Sequence, residues 1–174
     1  VQDGLVHRLD RNTSGVICYA KNSKAAARLS EQFRADAVER IYHVVIAGNP
    51  KHDTGTLTDY LKKDEKTNVV RTAKTGKEAV LEYKVLERLK NAALLEVKIR
   101  TGRPHQIRVQ LAHAGMPVIG DQKYGVSSRA ISRPAVHAQT LSLSHPVTKE
   151  RLVFSAEWPG DFRYLAAALA EQPG

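Results

Sequence analysis

Short runs rich in apolar and β-branched residues recur along the chain, and they constrain its fold more than any other feature. They predict strands at residues 15–20, 41–48, 79–89, 93–100, 135–144 and 151–156. In the fourth run Leu95, Val97 and Ile99 alternate with polar residues, so this strand is expected to have one solvated face.

Two segments between these runs have helical spacing instead. Residues 22–36 repeat apolar residues every fourth position and begin with two candidate N-caps, Asn22 and Ser23. The segment 103–115 predicts a second helix, with Pro104 in its first turn and Gly115 as its C-terminal stop.

Turn-forming and charged residues predict linkers at 48–55, 62–68 and 125–134. Most connections between the predicted strands are too short for parallel crossovers, which favours an α+β fold: a mostly antiparallel, mixed sheet with a few flanking helices. A length of 174 residues suits a single domain spanning 1–174.

The charge balance favours a polyanionic partner. The chain has 27 Lys and Arg against 18 Asp and Glu, a formal charge of +9, which makes nucleic acid the leading partner class. Aromatic residues are only 6% of the chain, too few for a platform of many stacked bases.

Other classes lack their sequence signals. Cys18 is the single cysteine, which excludes a disulfide within the chain, and no histidine or cysteine pair has metal-ligand spacing, so no metal is expected. No dinucleotide-binding or serine-hydrolase motif occurs. The chain has no apolar run of spanning length and no signal-peptide pattern at its start, so we expect a cytoplasmic protein.

Two polar clusters are candidates for chemistry. In "HRLDRNTSG" Asp10 lies between Arg8 and Arg11, as either an ordinary surface ion pair or a tuned reactive carboxylate. In "RTGRPHQIR" basic residues crowd a strand-to-helix junction, where free N–H groups favour phosphate, although a solvated basic helix face has the same pattern. The later turn "GDQKYG", with Asp121 and Tyr124, is interpreted as structural.

These motifs carry a family resemblance. "HRLDRNTSG", "RIYHVVIAG", "TGRPHQIR", "GDQKYG" and "VHAQTLSLSHPVT" follow one another along the chain and together resemble the RluA-type family of RNA pseudouridine synthases. The resemblance implies isomerisation of uridine to pseudouridine in structured RNA, either ribosomal or transfer RNA, with no cofactor. It also implies the pseudouridine synthase catalytic fold.

The resemblance assigns roles to individual positions. Asp10 matches the catalytic aspartate, Tyr42 the active-site tyrosine that stacks on the base, and Arg108 the arginine that pairs with the aspartate. Arg8 matches the side chain that fills the gap left by a flipped nucleotide. Five further residues of these motifs are RNA-binding candidates: His7, Arg11, Thr13, Arg103 and His105.

This chemistry is physically consistent with those residue types. A base stacked in RNA must be extruded before an enzyme can reach it, which costs a few kcal/mol. A guanidinium next to the aspartate stabilises its ionised form and orients it, and the planar fork of arginine suits this better than lysine. The reaction is an internal rearrangement without redox change.

The sequence also departs from the family pattern. Family members carry strands and a Lys-Pro-Gly-like turn before "HRLD", and many have an S4 domain, whereas here six residues precede His7. We therefore expect a catalytic domain truncated at its N-terminal side, and a monomer. Arg40 replaces a frequent lysine, which preserves the charge.

Two other functions compete with an isomerase. A catalytically silent RNA-binding protein on the same fold would need the arginines but not Asp10. A nucleoside hydrolase would require a second carboxylate as general acid or base, and none occupies a comparable position in these motifs.

Overall fold

The computed structural model describes residues 4–170, and within that range the chain forms one eight-stranded mixed sheet and three helices. The strands are β1 (Ser14–Gly15), β2 (Glu39–Ala47), β3 (Thr54–Asp64), β4 (Val69–Thr72), β5 (Lys77–Leu89), β6 (Ala92–Ile99), β7 (Val136–Ser144) and β8 (Arg151–Ser155). The helices are α1 (Ser23–Arg34), α2 (Gln106–His113) and α3 (Gly160–Ala170).

The sheet is mostly antiparallel. Its strand order is β1-β7-β2-β6-β5-β3-β4, and β8 pairs with β7. Only the two-residue β1 runs parallel to its neighbour β7, whereas the other paired strands are antiparallel. This topology confirms the predicted α+β class.

Alternation along the central strands buries both faces of the sheet. On one face Val44 and Leu95 pack with Leu111 of α2, and on the other Val45 and Leu94 pack with the apolar side of α3. The expected solvated face of β6 is therefore restricted to its C-terminal half, where Glu96 and Lys98 are half-buried and Arg100 is exposed.

Both predicted helices form, and only the second begins later than predicted. Asn22 caps α1, because its side-chain oxygen accepts the Ala25 N–H at 2.9 Å. Helix α2 begins at Gln106, so the prediction that Pro104 lies in the first helical turn was wrong. His105 precedes the helix with a φ of 54°, a left-handed conformation that is uncommon outside glycine.

Several sequence predictions missed real elements. Strand β3 overlaps two segments predicted as linkers, 48–55 and 62–68, and neither β4 nor α3 was predicted. The predicted strand at 15–20 is wrong over most of its length, because only Ser14–Gly15 form β1 and Tyr19 makes an isolated bridge to Leu5. None of the helices within residues 4–170 is long and apolar enough to cross a bilayer.

Candidate active site

A cavity of about 670 Å³ lies where the C-terminal end of β6, the start of α2 and the middle of β2 meet residues 7–15, called here the Asp10 loop. Most of the residues predicted for the site line it: His7, Arg8, Asp10, Thr13, Tyr42, Arg103 and Arg108. Arg11 and His105 are not among the lining residues, although the His105 N–H donates to the Asp10 carboxylate.

Asp10 is held at the edge of this cavity by backbone groups. Its carbonyl accepts the Thr13 N–H at 3.0 Å, which closes a tight turn. The carboxylate Oδ1 accepts the His105 N–H at 3.4 Å, a contact that the left-handed backbone of His105 permits. The side chain keeps 28% of its exposure, so its second oxygen remains open to a ligand.

Arg108 does not take Asp10 as its main partner. Its Nη1 lies 3.9 Å from the Asp10 carboxylate, whereas Nε and Nη2 donate to the two oxygens of Asp121 at 2.8 and 2.9 Å. Such a two-pronged pair fixes the plane of the guanidinium. Arg108 is therefore positioned by Asp121 and presents its remaining nitrogen towards Asp10.

Asp121 is deeply buried and fully bonded. Its side chain is 1% exposed and also accepts the N–H groups of Lys123 and Tyr124, both at 3.1 Å. Burial alone would raise the pKa of this carboxyl, but the hydrogen bonds and the charge of Arg108 outweigh it and lower the pKa. For Arg108 burial likewise opposes the charge, and the Asp121 bonds raise its pKa.

Tyr42 forms part of the cavity wall. It is 8% exposed and packs in the core cluster with Val44 and Ile107. Burial raises the pKa of Tyr42 to about 12, partly opposed by the charge of Arg40 and reinforced by Asp10. Its hydroxyl is consequently neutral at physiological pH and can donate a hydrogen bond. Beside it, β7 carries one extra residue, Gln139, which interrupts its register with β2.

A second set of bonds ties the cavity to the β3–β4 hairpin. His105 Nδ1 and the Tyr124 hydroxyl lie 2.7 Å apart, and that hydroxyl accepts the Val70 N–H at 2.9 Å. The Tyr124 hydroxyl thus links His105 to β4. The Arg108 guanidinium stacks over the Tyr124 ring at 4.9 Å, which gives Arg108 a second support.

The Asp10 loop is anchored from its C-terminal side. Arg133 donates from Nη1 to the Asn12 carbonyl at 3.0 Å and from Nη2 to the Ser14 hydroxyl at 3.1 Å, while Nε and Nη2 donate to the Asp161 carboxylate. Gly15 then pairs with β7 with a φ of 122°, and a Cβ there would lie 2.2 Å from the Ala138 carbonyl oxygen. Only glycine permits this approach.

The RNA-binding candidates differ in their freedom. Arg8 and Arg11 are exposed, whereas His7 stacks on Phe33 and accepts the Cys18 N–H at 2.9 Å. Burial, with a smaller effect of Arg40, lowers the pKa of His7 to about 4. Arg103 donates to the Glu78 carbonyl at 2.8 Å. His7 is therefore neutral and already bonded.

Sequence reasoning missed three residues that position this site. Asp121 and Tyr124 were interpreted as part of a structural turn, and Arg133 lay in a segment predicted as a linker. A buried carboxylate between two glycines, "GDQKYG", was the available signal for Asp121, because isolated buried carboxylates require a cationic partner. Among residues 4–170, no group of three or more His, Cys, Asp and Glu side chains is placed to hold a metal ion.

Comparison with known proteins identifies the class of protein to which this mixed-sheet fold belongs. The family model for RNA pseudouridylate synthases matches residues 3–113. The chain belongs to this family.

Curated relatives match nearly the whole chain. It is 38% identical over 167 residues to the RNA pseudouridine synthase YlyB of Bacillus subtilis, covering 95% of this chain and 55% of that protein. It is 36% identical over 183 residues to ribosomal large subunit pseudouridine synthase D of Pseudomonas aeruginosa, covering 97% and 57%. The chain thus spans about half the length of the curated relatives it matches.

Solved structures share the fold. Human RNA pseudouridylate synthase domain containing 4 superposes with a TM-score of 0.81 at 26% identity, covering 98% of this chain and 77% of that one. Human RNA pseudouridylate synthase domain containing 1 superposes with a TM-score of 0.78 at 24% identity, covering 98% and 81%. Both support the arrangement of strands and helices described above.

Proposed function

We propose that this protein isomerises specific uridines to pseudouridine in structured RNA, with Asp10 as the nucleophile. The observation that carries the proposal is the placement of the Asp10 carboxylate at the cavity, 3.9 Å from the Arg108 guanidinium and facing the same space as Tyr42. The formal charge of +9 suits a polyanionic substrate.

Each residue has a defined task in the proposed reaction. Arg8, exposed at the rim, fills the gap in the RNA after the target nucleotide flips into the cavity. Asp10 attacks C1′ of the uridine nucleotide and displaces N1, so that the C1′–N1 glycosidic bond breaks, and the base then turns until its C5 displaces Asp10 from C1′. The proton from C5 is exchanged for one on N1, so the reaction needs no redox partner and no cofactor.

Tyr42 and Arg108 support this sequence of steps. The neutral phenol of Tyr42 stacks on the base and relays the proton, because its buried hydroxyl holds its proton at neutral pH. Arg108, fixed by Asp121, orients the Asp10 carboxylate. His7, Arg11, Thr13, Arg103 and His105 contribute to RNA binding or to the shape of the site.

The substrate is ribosomal or transfer RNA, and we propose that the protein acts on it in the cytoplasm as a monomer, through a single catalytic domain. Relatives with the name ribosomal large subunit pseudouridine synthase D favour ribosomal RNA. Shape and loop contacts select the target in RNA of this kind.

A pseudouridine map tests the proposal. Total RNA from cells lacking the gene is labelled with carbodiimide and read by primer extension, after complementation with the full wild-type gene, with Asp10→Asn or with Asp53→Asn. Asp53 is the control because it forms an exposed ion pair with Arg88. One or a few pseudouridines should disappear and return with wild type and Asp53→Asn only, while Asp10→Asn still binds the RNA.

Two outcomes would contradict parts of this account. Restoration by Asp10→Asn would show that another group is the nucleophile. An unchanged map together with RNA binding by the wild type would favour the catalytically silent RNA-binding protein, in which the carboxylate has no chemical task.

A further inference from the structure

Arg40 is a half-buried cation with no carboxylate partner among the described residues. It lies two positions before Tyr42 on β2, on the same face, and lines the same cavity. Its Nε is buried and has no hydrogen-bond partner within residues 4–170, and no described carboxylate lies within 4.0 Å of it. Its support is the Phe33 ring, 5.4 Å from the guanidinium carbon.

Five other arginines line the cavity, and each has a partner or is exposed to water. Arg34 is paired with Glu31 and Arg108 with Asp121, and Arg100 contacts two carboxylates, Asp36 and Glu82. Arg103 has no carboxylate within 4.0 Å among the described residues, but its Nε donates to the Glu78 carbonyl at 2.8 Å. Arg8 has no such partner, but it is exposed and water can solvate it. Among these described arginines, Arg40 is the one whose Nε is buried without a hydrogen-bond partner.

This combination is unfavourable unless a ligand compensates it. A partly desolvated charge without a paired carboxylate loses solvation free energy, and arginine cannot escape by losing its proton because its pKa is too high. Burial lowers the pKa of Arg40 without removing its charge. His7, next to it, is neutral and leaves Arg40 as the cation at this point of the wall.

The approach to the guanidinium is open on one side. Gly102 faces Arg40, and a Cβ at position 102 would lie 3.0 Å from its Nη1, a tight contact that glycine avoids. A planar guanidinium suits the oxygens of a phosphate, to which it can donate from two nitrogens at once. We propose that Arg40 binds a phosphate directly flanking the target uridine and thereby draws the flipped nucleotide towards Asp10.

This inference rests on the proposed function, since it names the substrate group that Arg40 holds. Arg40 is a binding residue in this account and takes no part in bond making. Its loss should therefore raise KM and the dissociation constant for RNA more than it lowers kcat.

Backbone-modified RNA tests the assignment. A substrate stem–loop found by the pseudouridine map is prepared with a neutral methylphosphonate on the 5′ or the 3′ side of the target uridine. Wild type should bind one of the two about 10-fold more weakly than unmodified RNA, the scale of one lost charged contact. Arg40→Gln should bind unmodified RNA about 10-fold more weakly and lose nothing further at that same position.

Arg34→Gln is the matched control. Arg34 lines the same cavity, but its side chain is 68% exposed and bonded to Glu31, so this variant should keep the sensitivity of wild type to the modified phosphate. Arg40→Lys should recover part of the affinity. Equal sensitivity of wild type and Arg40→Gln at both phosphates would overturn the inference while leaving the isomerase activity established.

A second measurement works without catalysis. Nitrogen-15 NMR follows the Nε–H resonance of Arg40, assigned by its absence in Arg40→Lys, during titration with uridine, uridine 5′-monophosphate and uridine 3′-monophosphate. A shift with one nucleotide and none with uridine supports the inference and names the flanking side. No shift with either nucleotide would overturn it, even in a protein that forms pseudouridine, whereas a shift without any isomerisation would refute only the proposed function.

Discussion

The Asp10 loop and residues 106–125, which carry Arg108, meet at one cavity but are held by different means. In the loop Arg8, Arg11 and Asn12 are exposed, and the groups that anchor it come from distant parts of the chain. Residues 106–125 instead bury three polar side chains, Gln106, Gln110 and Asp121, bonded mostly within the segment or to β3 and β5.

The difference follows from what each segment must contact. In the proposed reaction the Asp10 carboxylate attacks a nucleotide of an RNA that approaches from solution, so its loop cannot be buried. The arginine that orients it must not move, and a buried two-pronged ion pair restricts it most. Residues 106–125 are therefore fixed mostly by hydrogen bonds of their own segment, and the Asp10 loop by external anchors, that is, by groups from distant parts of the chain. Three variants test this contrast.

The largest effect is expected when the buried pair is broken. Asp121→Asn leaves Arg108 with one acceptor where it had two and removes the counter-charge. The free energy of unfolding should fall by about 3 kcal/mol, and kcat for pseudouridine formation should fall with it. Urea unfolding and single-turnover assays measure the two effects.

Asp53→Asn provides the comparison for that variant. Asp53 also pairs with an arginine, Arg88, at 2.9 Å, but its side chain is 84% exposed, so its loss should cost less than about 1 kcal/mol. Equal stability of the two variants would mean that Asp121 does not fix the segment.

A smaller effect is expected from cutting an external anchor. Arg133→Met removes the donors to Asn12 and Ser14, and the free energy of unfolding should fall by about 2 kcal/mol. Because two of the acceptors that lose their donor lie in the Asp10 loop, amide hydrogen exchange should accelerate at residues 7–15 before it does in the central strands.

Arg151→Met separates anchoring from general destabilisation. Arg151 also donates from all three nitrogens, but to Ser142 and to the Ala37 carbonyl, away from the loop. Exchange at residues 7–15 that rises equally in both variants would contradict the role of Arg133 as a loop anchor.

The smallest effect is a pH dependence at the other anchor of the loop. His7 has a folded-state pKa of about 4, lowered by burial and by Arg40, against about 6.5 in the unfolded chain. The unfolded state therefore binds more protons as pH falls below 6.5, and folding loses stability in the window from 6.5 down to 4.

Between pH 7.5 and pH 5 the free energy of unfolding of wild type should fall by about 1 kcal/mol more than that of His7→Gln, after allowance for the partial exposure of the ring. Urea unfolding at the two pH values measures the difference. His52→Gln, at an exposed turn, should behave as wild type. A His7→Gln variant with the full pH dependence of wild type would remove the histidine from this anchor.

The sequence predicted the elements whose pattern reflects burial. Strands β2, β5, β6, β7 and β8 were placed within about two residues, because each consists of a run rich in apolar and β-branched residues. Strand β3 escaped because its alternation is between small, charged and aromatic residues, "TGTLTDYLKKD", most of them exposed. Its strand conformation depends on pairing with β5, which no local pattern reveals.

The site was predictable where chemistry dictates residue type, and less so where partners are distant. Asp10, Tyr42 and Arg108 were found from their motifs and lie together at the cavity. That Arg108 turns its two-pronged face to Asp121 could not be read from spacing, since Asp10 and Asp121 were both available carboxylates. The fold decides between them, because it buries Asp121 completely and leaves Asp10 partly exposed.

Gly15 limits how this protein can vary. Because a single added methyl group at that position would collide with the Ala138 carbonyl, at 2.2 Å, every substitution there lifts the end of the loop off β7. Gly15 contacts no candidate reactive group, yet the distance between the sheet and the Asp10 carboxylate depends on the absence of a Cβ at this residue. We therefore expect position 15 to tolerate substitution as poorly as position 10. At position 15 the reason is steric, whereas at position 10 it is the proposed chemistry of the aspartate.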